Sequence, residues 1–281
     1  MKTNQITVVI ATLGKKNINK LLKKLIDNNL IKEILISIPN SKNKIIDNYK
    51  NKKVKIVKSK FKHQVKQRII CYKKIKTKYT LLLDDDVSFN SNFILDLLKT
   101  NIKKGNNTVI GPIYYNNKNL QKIHSMDMNL QIVFKRILQS VIFGIDFSKK
   151  RMGKISKAGT CYGVDPEYMN EDCIKVEWIP GGCMMLRTKN LISKNYFNVK
   201  GKAYCEDLIQ SYLLRKKKLK LYICKKTKIY TDIPQKLIGK DDLKDYLNGH
   251  YLFCKHSNLF NFRVSIWRAY LNLKLLLSKM F

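Results

Sequence analysis

Zinc-ligand spacing is missing from this chain: its seven cysteines form no Cys-x-x-Cys pair and no cluster with histidine of the kind a structural zinc requires. Cys71, Cys161, Cys173, Cys183, Cys205, Cys224 and Cys254 are scattered and odd in number, which reads as reduced thiols in a cytosolic setting. Long hydrophobic runs are missing too. Nothing reaches the roughly 18 consecutive apolar residues of a membrane helix, and the first apolar run, Ile6 to Ala11, is too brief for a signal-peptide core. A cytoplasmic protein is expected, either freely soluble or peripheral on the inner face of a membrane. The first run leads into Thr12-Leu13-Gly14-Lys15-Lys16, which carries neither G-x-G-x-x-G nor G-x-x-x-x-G-K-[ST]. That argues against a dinucleotide fold and against a P-loop.

Acidic residues are also scarce. Twenty Asp and Glu stand against 56 Lys and Arg, for a net charge of +36, so anionic partners in general should be attracted. Most of the excess is Lys, in a chain also crowded with Asn and Ile, and an AT-rich coding sequence accounts for that equally well. The basic residues run from Lys15 to Lys279 without forming a block, and no aromatic interleaving accompanies them. Nucleic acid is therefore not the favoured partner.

Against this scarcity, three of the acids stand side by side. Tyr79-Thr80-Leu81-Leu82-Leu83 reads as a buried strand and ends in Asp84-Asp85-Asp86. Adjacent carboxylates repel and are costly to desolvate, so such a strand end calls for a shared cation. Hard oxygen donors suit Mg or Mn, which bind through one or two carboxylates plus substrate phosphates. A solvated acidic turn explains the triplet as well.

At 281 residues the chain is long enough for one large α/β domain with an appendage. Its first half alternates short β-branched runs with helical periodicity, the mark of βα units and a mainly parallel sheet. Strands are expected at 6–11, 34–38, 54–57, 79–83 and 108–113. Helices are expected around residues 18–26, 65–72 and 93–98. In such a sheet, ligands collect at the carboxyl ends of strands, where the turns after Ala11 and Pro39 and the acid triplet all lie. Residues 128–145 show one apolar helical face, Leu130, Phe134, Ile137, Leu138, Val141 and Ile145, and 149–171 read as a long loop. Val176-Glu177-Trp178-Ile179 and Cys183-Met184-Met185-Leu186 read as two strands joined at Pro180-Gly181-Gly182, a hairpin corner with room for a ligand. Glu206-Asp207 open an apolar-periodic helix, a position that the helix dipole alone would justify.

Taken in order, the acid triplet, the corner at 178–182 and the Glu206-Asp207 helix start, with Gln64-Val65-Lys66-Gln67-Arg68 upstream, resemble an inverting nucleotide-sugar glycosyltransferase of family 2 with the GT-A fold. The resemblance spans residues 6–232. It implies a Rossmann-like, mixed but mainly parallel sheet flanked by helices, with a nucleotide-binding half at 1–115, an acceptor half at 116–234 and a helical extension at 235–281. It further implies that Ala11 and Thr12 meet the nucleotide, that Gln64 and Arg68 border its pocket, and that Asp85 lies near the ribose. Asp86 would bind a divalent metal, Mn or Mg, with Asp84 assisting. Trp178, Gly181 and Gly182 would shape the sugar and acceptor cleft. Asp207 matches the catalytic base, with Glu206 beside it. Two departures stand out. Ile38-Pro39-Asn40-Ser41 lacks the acids that often contact the base, and the usual metal-binding His is replaced around Lys228-Ile229-Tyr230-Thr231-Asp232. Asp232 is the substitute ligand and His250 a second candidate.

Past Pro234 two helices are expected, at 243–253 and 260–280. In the second, Phe262, Ile266, Ala269, Leu273, Leu277 and Met280 share a face, with Arg263, Arg268, Lys274 and Lys279 in the other half. Such a helix suits an anionic membrane surface, where a glycan or lipid-linked acceptor would be met, and equally suits docking onto the catalytic domain. The rival readings are a nucleotidyltransferase, which also ends strands in metal-binding acids, and a non-catalytic basic protein that binds nucleic acid or membrane through its charge.

Overall fold

The computed structural model describes residues 4–14, 18–40, 51–124, 140, 144, 151–232 and 239–277. The apolar segment at 128–145 lies almost wholly outside these, as do Ser41, Met280 and Lys279. The described chain runs β1 (Ile6–Ala11), α1 (Asn19–Ile26), β2 (Ile31–Pro39), β3 (Val54–Ser59), α2 (Gln64–Tyr72), β4 (Tyr79–Leu83), β5 (Val87–Phe89), α3 (Phe93–Lys104) and β6 (Thr108–Asn116). It continues with β7 (Cys173–Val176), β8 (Cys183–Arg187), α4 (Glu206–Lys216), β9 (Lys220–Thr231), α5 (Lys240–Ser257) and α6 (Phe262–Leu277).

The strands form one sheet in the order β3-β2-β1-β4-β8-β6-β9-β5, with β7 also paired to β9. β1, β2, β3 and β4 are parallel, and β8 enters antiparallel between β4 and β6. Every residue of β1 and β4 is buried. That is why ITVVIA and YTLLL are continuous apolar runs: a parallel strand covered by helices on both faces has no polar side to show. Leu21, Leu22 and Leu25 of α1 and Phe93, Leu97 and Leu98 of α3 cover one face, against Val8, Ile36 and Leu81. Val65 and Cys71 of α2, Leu208 and Ile209 of α4 and Phe253 of α5 cover the other, against Val9, Leu35 and Met184.

Two expectations are corrected. The two strands around Pro180-Gly181-Gly182 are not a hairpin, since β7 pairs with β9 while β8 pairs with β4 and β6. Ile179 N–H donates to Ser211 Oγ of α4 at 3.1 Å, while Asp84 N–H donates to Gly182 O at 2.9 Å and continues the β8–β4 ladder, so the corner runs from α4 to the end of β4. The cysteines are not all reduced: Cys173 and Cys224 face each other across β7 and β9 and form a disulfide, with Cα atoms 4.1 Å apart. In α6, the buried residues are Val264 and Leu271, and the stripe containing Phe262, Ile266 and Leu273 is exposed. No helix among the described residues is long and apolar enough to cross a membrane.

Candidate active site

The carboxyl ends of β1, β2 and β4 are cross-linked by α2. Gln67, fully buried, donates through Nε2 to Thr12 O (3.0 Å) and Ser37 O (2.9 Å), tying the ends of β1 and β2 together. Thr12 Oγ1 donates to Asp85 and accepts from Gly14 N–H at 2.9 Å, so the turn after β1 is held against the acid triplet. Gly14 has φ +72°, a left-handed turn conformation that glycine adopts without a Cβ penalty. Gln64 Nε2 donates to Asp84 Oδ1 at 2.7 Å.

Arg68 comes next on the helix, and it is only 1 % exposed. Its guanidinium donates to Asp84 Oδ1 (2.7 Å), to Gly181 O (2.9 Å) and to Glu206 Oε1 (3.0 Å), and Tyr196 OH donates to Glu206 Oε2 at 3.1 Å. The two ion pairs outweigh the cost of burial and keep Arg68 charged. Sequence reasoning set Arg68 at the nucleotide pocket and Glu206 beside the base. Glu206 does lie beside Asp207 and Arg68 does reach the cavity-lining Asp84, but both side chains are buried and hold each other. Glu206, 4 % exposed, lies at the start of α4 on the buried face that it shares with Ile209 and Gln210, while the next residue, about 100° further round the helix, is less buried; Cys205 before it has a left-handed backbone (φ +62°).

That next residue is Asp207, half-buried, with Oδ1 accepting from Leu208 N–H at 2.9 Å. Burial and the neighbouring Glu206 push its carboxyl up to about 7, against backbone hydrogen bonds that favour the ionised form. Asp84 is pushed up to about 6 by burial, with Arg68 opposing and Asp86, Glu206 and Asp85 adding repulsion. Gly181 and Gly182 separate these two carboxyls. A Cβ on Gly181 would lie 2.5 Å from Glu206 Oε1 and 3.3 Å from Asp207 Cβ; one on Gly182 would lie 3.1 Å from both Asp84 Oδ2 and Tyr114 OH. The glycines are thus a space requirement, bringing Asp84 and Asp207 to the two flanks of one corner.

A cavity of about 910 Å³ is lined by Ala11, Thr12, Gln64 and the acid triplet; it reaches Asp84, whereas Gly181, Gly182 and Asp207 are not among its lining residues. Gly201, Lys202, Ala203, Tyr204 and Asp245 also line it. A second cavity of about 390 Å³ joins Asp85 and Asp86 to Lys20, Lys24 and Asp232, the last held by Asn117 Nδ2 at 3.3 Å. Trp178 lines neither. It is 5 % exposed, its indole N–H donates to Tyr162 O at 2.8 Å, and it packs beneath the corner. His250, the second metal candidate, is fully buried against Ala158 O at 2.9 Å, and burial lowers it to about 4. It is a packing residue. Gln67, Tyr114, Lys202 and Asp245 were not anticipated. Only Gln67 had a local signal, lying one turn from Gln64 on the same helix; the others meet the site through long-range packing.

The donor chemistry of the triplet suits a hard divalent cation, since all its side-chain donors are carboxylate oxygens whose mutual repulsion a cation relieves. Among the described residues no three His, Cys, Asp or Glu converge into a complete cage.

A mixed sheet with helices on both faces, a nucleotide-sized cleft at its carboxyl edge and acids at the end of the fourth strand define the GT-A class of fold. Residues 7–163, more than half of the chain, match the family model for glycosyl transferase family 2, and the chain belongs to that family. No curated protein matches it. Among solved structures, GalNAc-T7 with UDP, GalNAc and Mn2+ superposes with a TM-score of 0.63 at 14% identity, over 88% of this chain and 47% of that one. TarS residues 1–349 of S. aureus, in complex with UDP-GlcNAc, gives 0.55 at 14% identity, over 90% and 66%. The chain therefore spans about half to two thirds of these neighbours, and identity this low extends to the fold alone. Family membership favours glycosyl transfer over nucleotidyl transfer.

Proposed function

We propose that this protein transfers a sugar from a nucleoside diphosphate sugar to an acceptor hydroxyl, with inversion and the assistance of a divalent metal. The observation that supports it most is the two-flank corner: Asp84 beside Gly182, and Asp207 beside Gly181. One flank suits the diphosphate end of a donor and the other a base. Asp207, with its carboxyl near 7, ionises close to neutral pH, where a general base is most effective. It would take the proton of the acceptor hydroxyl as that oxygen attacks the anomeric carbon from the face opposite the leaving group. Thr12, the backbone at Ala11, Gln64 and Asp85 would receive the nucleoside. Arg68 would keep Glu206 and Asp84 fixed, so that Asp207 stays aimed at the corner. Mn or Mg would be held by Asp86 with Asp84 behind it and Asp232 as a further oxygen donor; when bound, it neutralises charge on the departing diphosphate.

Because both neighbours were crystallised with uridine nucleotides, UDP-sugars are the first donors to try. The acceptor we favour is a glycan or lipid-linked oligosaccharide of a surface or capsular polymer. It would be met at an anionic membrane surface through α6, which contains Arg263, Arg268 and Lys274, no acid, and an outward apolar stripe. Thermal-shift measurements with UDP-, GDP-, dTDP- and CDP-sugars, each with and without Mn, test the donor site. Metal-dependent stabilisation by one nucleotide class is the expected result. Indifference to all of them would overturn the reading.

A further inference from the structure

The lining of the donor cavity has two parts, and only one of them lies within residues 7–163. The other part of the lining consists of Gly201, Lys202, Ala203, Tyr204 and, from α5, Asp245. This part is built with backbone-level closeness. Gly249 in the middle of α5 has no Cβ, and one placed there would sit 2.1 Å from Tyr204 O, so the helix and the loop are in direct main-chain contact. Gly201 carries φ +91°, and a Cβ on it would lie 2.3 Å from both oxygens of Asp245. Lys202 N–H donates to Asp245 Oδ2 at 2.7 Å, and Lys202 Nζ pairs with Asp242 Oδ1 at 2.6 Å. The Tyr204 ring stands edge-on to Tyr246 of α5, their centroids 6.2 Å apart. Three residues past Tyr204 is Asp207, so α5 holds the segment that feeds the base.

Resting on the donor reading above, we propose that α5 is part of the donor site and that Asp245 is the residue that recognises the sugar. A carboxylate only accepts hydrogen bonds, and hydroxyls are the donors that a pyranose offers. Asp245 is half-buried, it lines the same cavity as the 84–86 triplet, and its Oδ2 is already oriented by the Lys202 amide. With the diphosphate at the triplet, the attached sugar would share this cavity with Asp245. Asp242 acts one step back: it anchors Lys202, which keeps Gly201 over Asp245.

The test compares UDP with UDP-GlcNAc and UDP-GalNAc, each with Mn, by calorimetric titration of the full chain and of Asp245→Asn. Asparagine retains an oxygen for the Lys202 amide, so the loop is kept. The wild type should bind at least one sugar nucleotide more tightly than UDP. Asp245→Asn should bind UDP unchanged and lose about tenfold or more in affinity for that sugar nucleotide, the scale of a hydrogen bond to a charged acceptor. Asp242→Asn should lose less than Asp245→Asn while also leaving UDP binding unchanged. If the wild type binds these nucleotides and Asp245→Asn retains the full preference for the sugar-bearing one, the assignment of Asp245 fails while the donor reading stands. If the wild type binds none of them, both fall.

Discussion

At the scale of single residues, the proposed chemistry concentrates on Asp207. Replacement by Asn preserves the shape and the Leu208 hydrogen bond but removes the base, so transfer should fall by about 10²–10⁴ in kcat with donor binding intact, as measured by steady-state assay and titration. The charged and titratable groups around it are Glu206, Tyr114, Cys161 and Cys205. Its carboxyl is raised, so the active, ionised form accumulates as pH increases. Activity should therefore climb through about pH 7 and level off above it, a limb that a pH profile of kcat/KM will reveal and that Asp207→Asn should abolish. The acids themselves were legible in the sequence, because carboxylates at a strand end and a helix start are conspicuous against so few others. The direction each one faces was not. Glu206 and Asp207 are neighbours with different fates, because Glu206 falls on the buried face of α4 and meets Arg68, a partner 138 residues away that no local pattern announces.

Among the elements, α2 and the corner at 178–182 matter most. Arg68 spans from α2 to the start of α4, and removing it strands Glu206 without its counter-charge. Arg68→Met should cost about 3–5 kcal/mol in urea unfolding, the range for breaking a buried ion pair from one side. Gly181→Ala separates site from scaffold in a different way. Its methyl would collide with Glu206 Oε1, so catalysis should drop more steeply than the melting temperature, a contrast seen by comparing kcat with thermal unfolding of the same sample. The parallel strands and their helices could be read from periodicity because fully buried strands leave continuous apolar runs. The supposed hairpin could not. Val176 and Cys183 look like strand partners along the chain, and only tertiary pairing with β9, β4 and β6 separates them.

At the scale of the whole molecule, Cys173 and Cys224 join segments 51 residues apart in the chain. By loop-entropy arguments, such a bond contributes about 4 kcal/mol, so Cys224→Ser or added reductant should lower the unfolding midpoint, and reductant should have no further effect on the variant. The exposed stripe of α6 makes a second global prediction. Vesicles rich in anionic lipid should retain the protein in flotation, and Leu273→Glu should release it, with neutral vesicles retaining little of either. A last consequence follows from the strand order. Leu83 ends β4 and Val87 begins β5, yet β8, β6 and β9 intervene between those strands. Four flat strand spacings would be about 19 Å, whereas four residue steps reach at most about 14 Å. The sheet therefore has to curl at its carboxyl end, and β9 shows where: its register with β6 jumps from Cys224 to Lys228. The acid triplet is the strap that joins β4 to β5 across that curl. Any cation that draws its carboxylates together also tightens the closure, so amide hydrogens at 87–89 and 229–231 should exchange more slowly when Mn and UDP are bound.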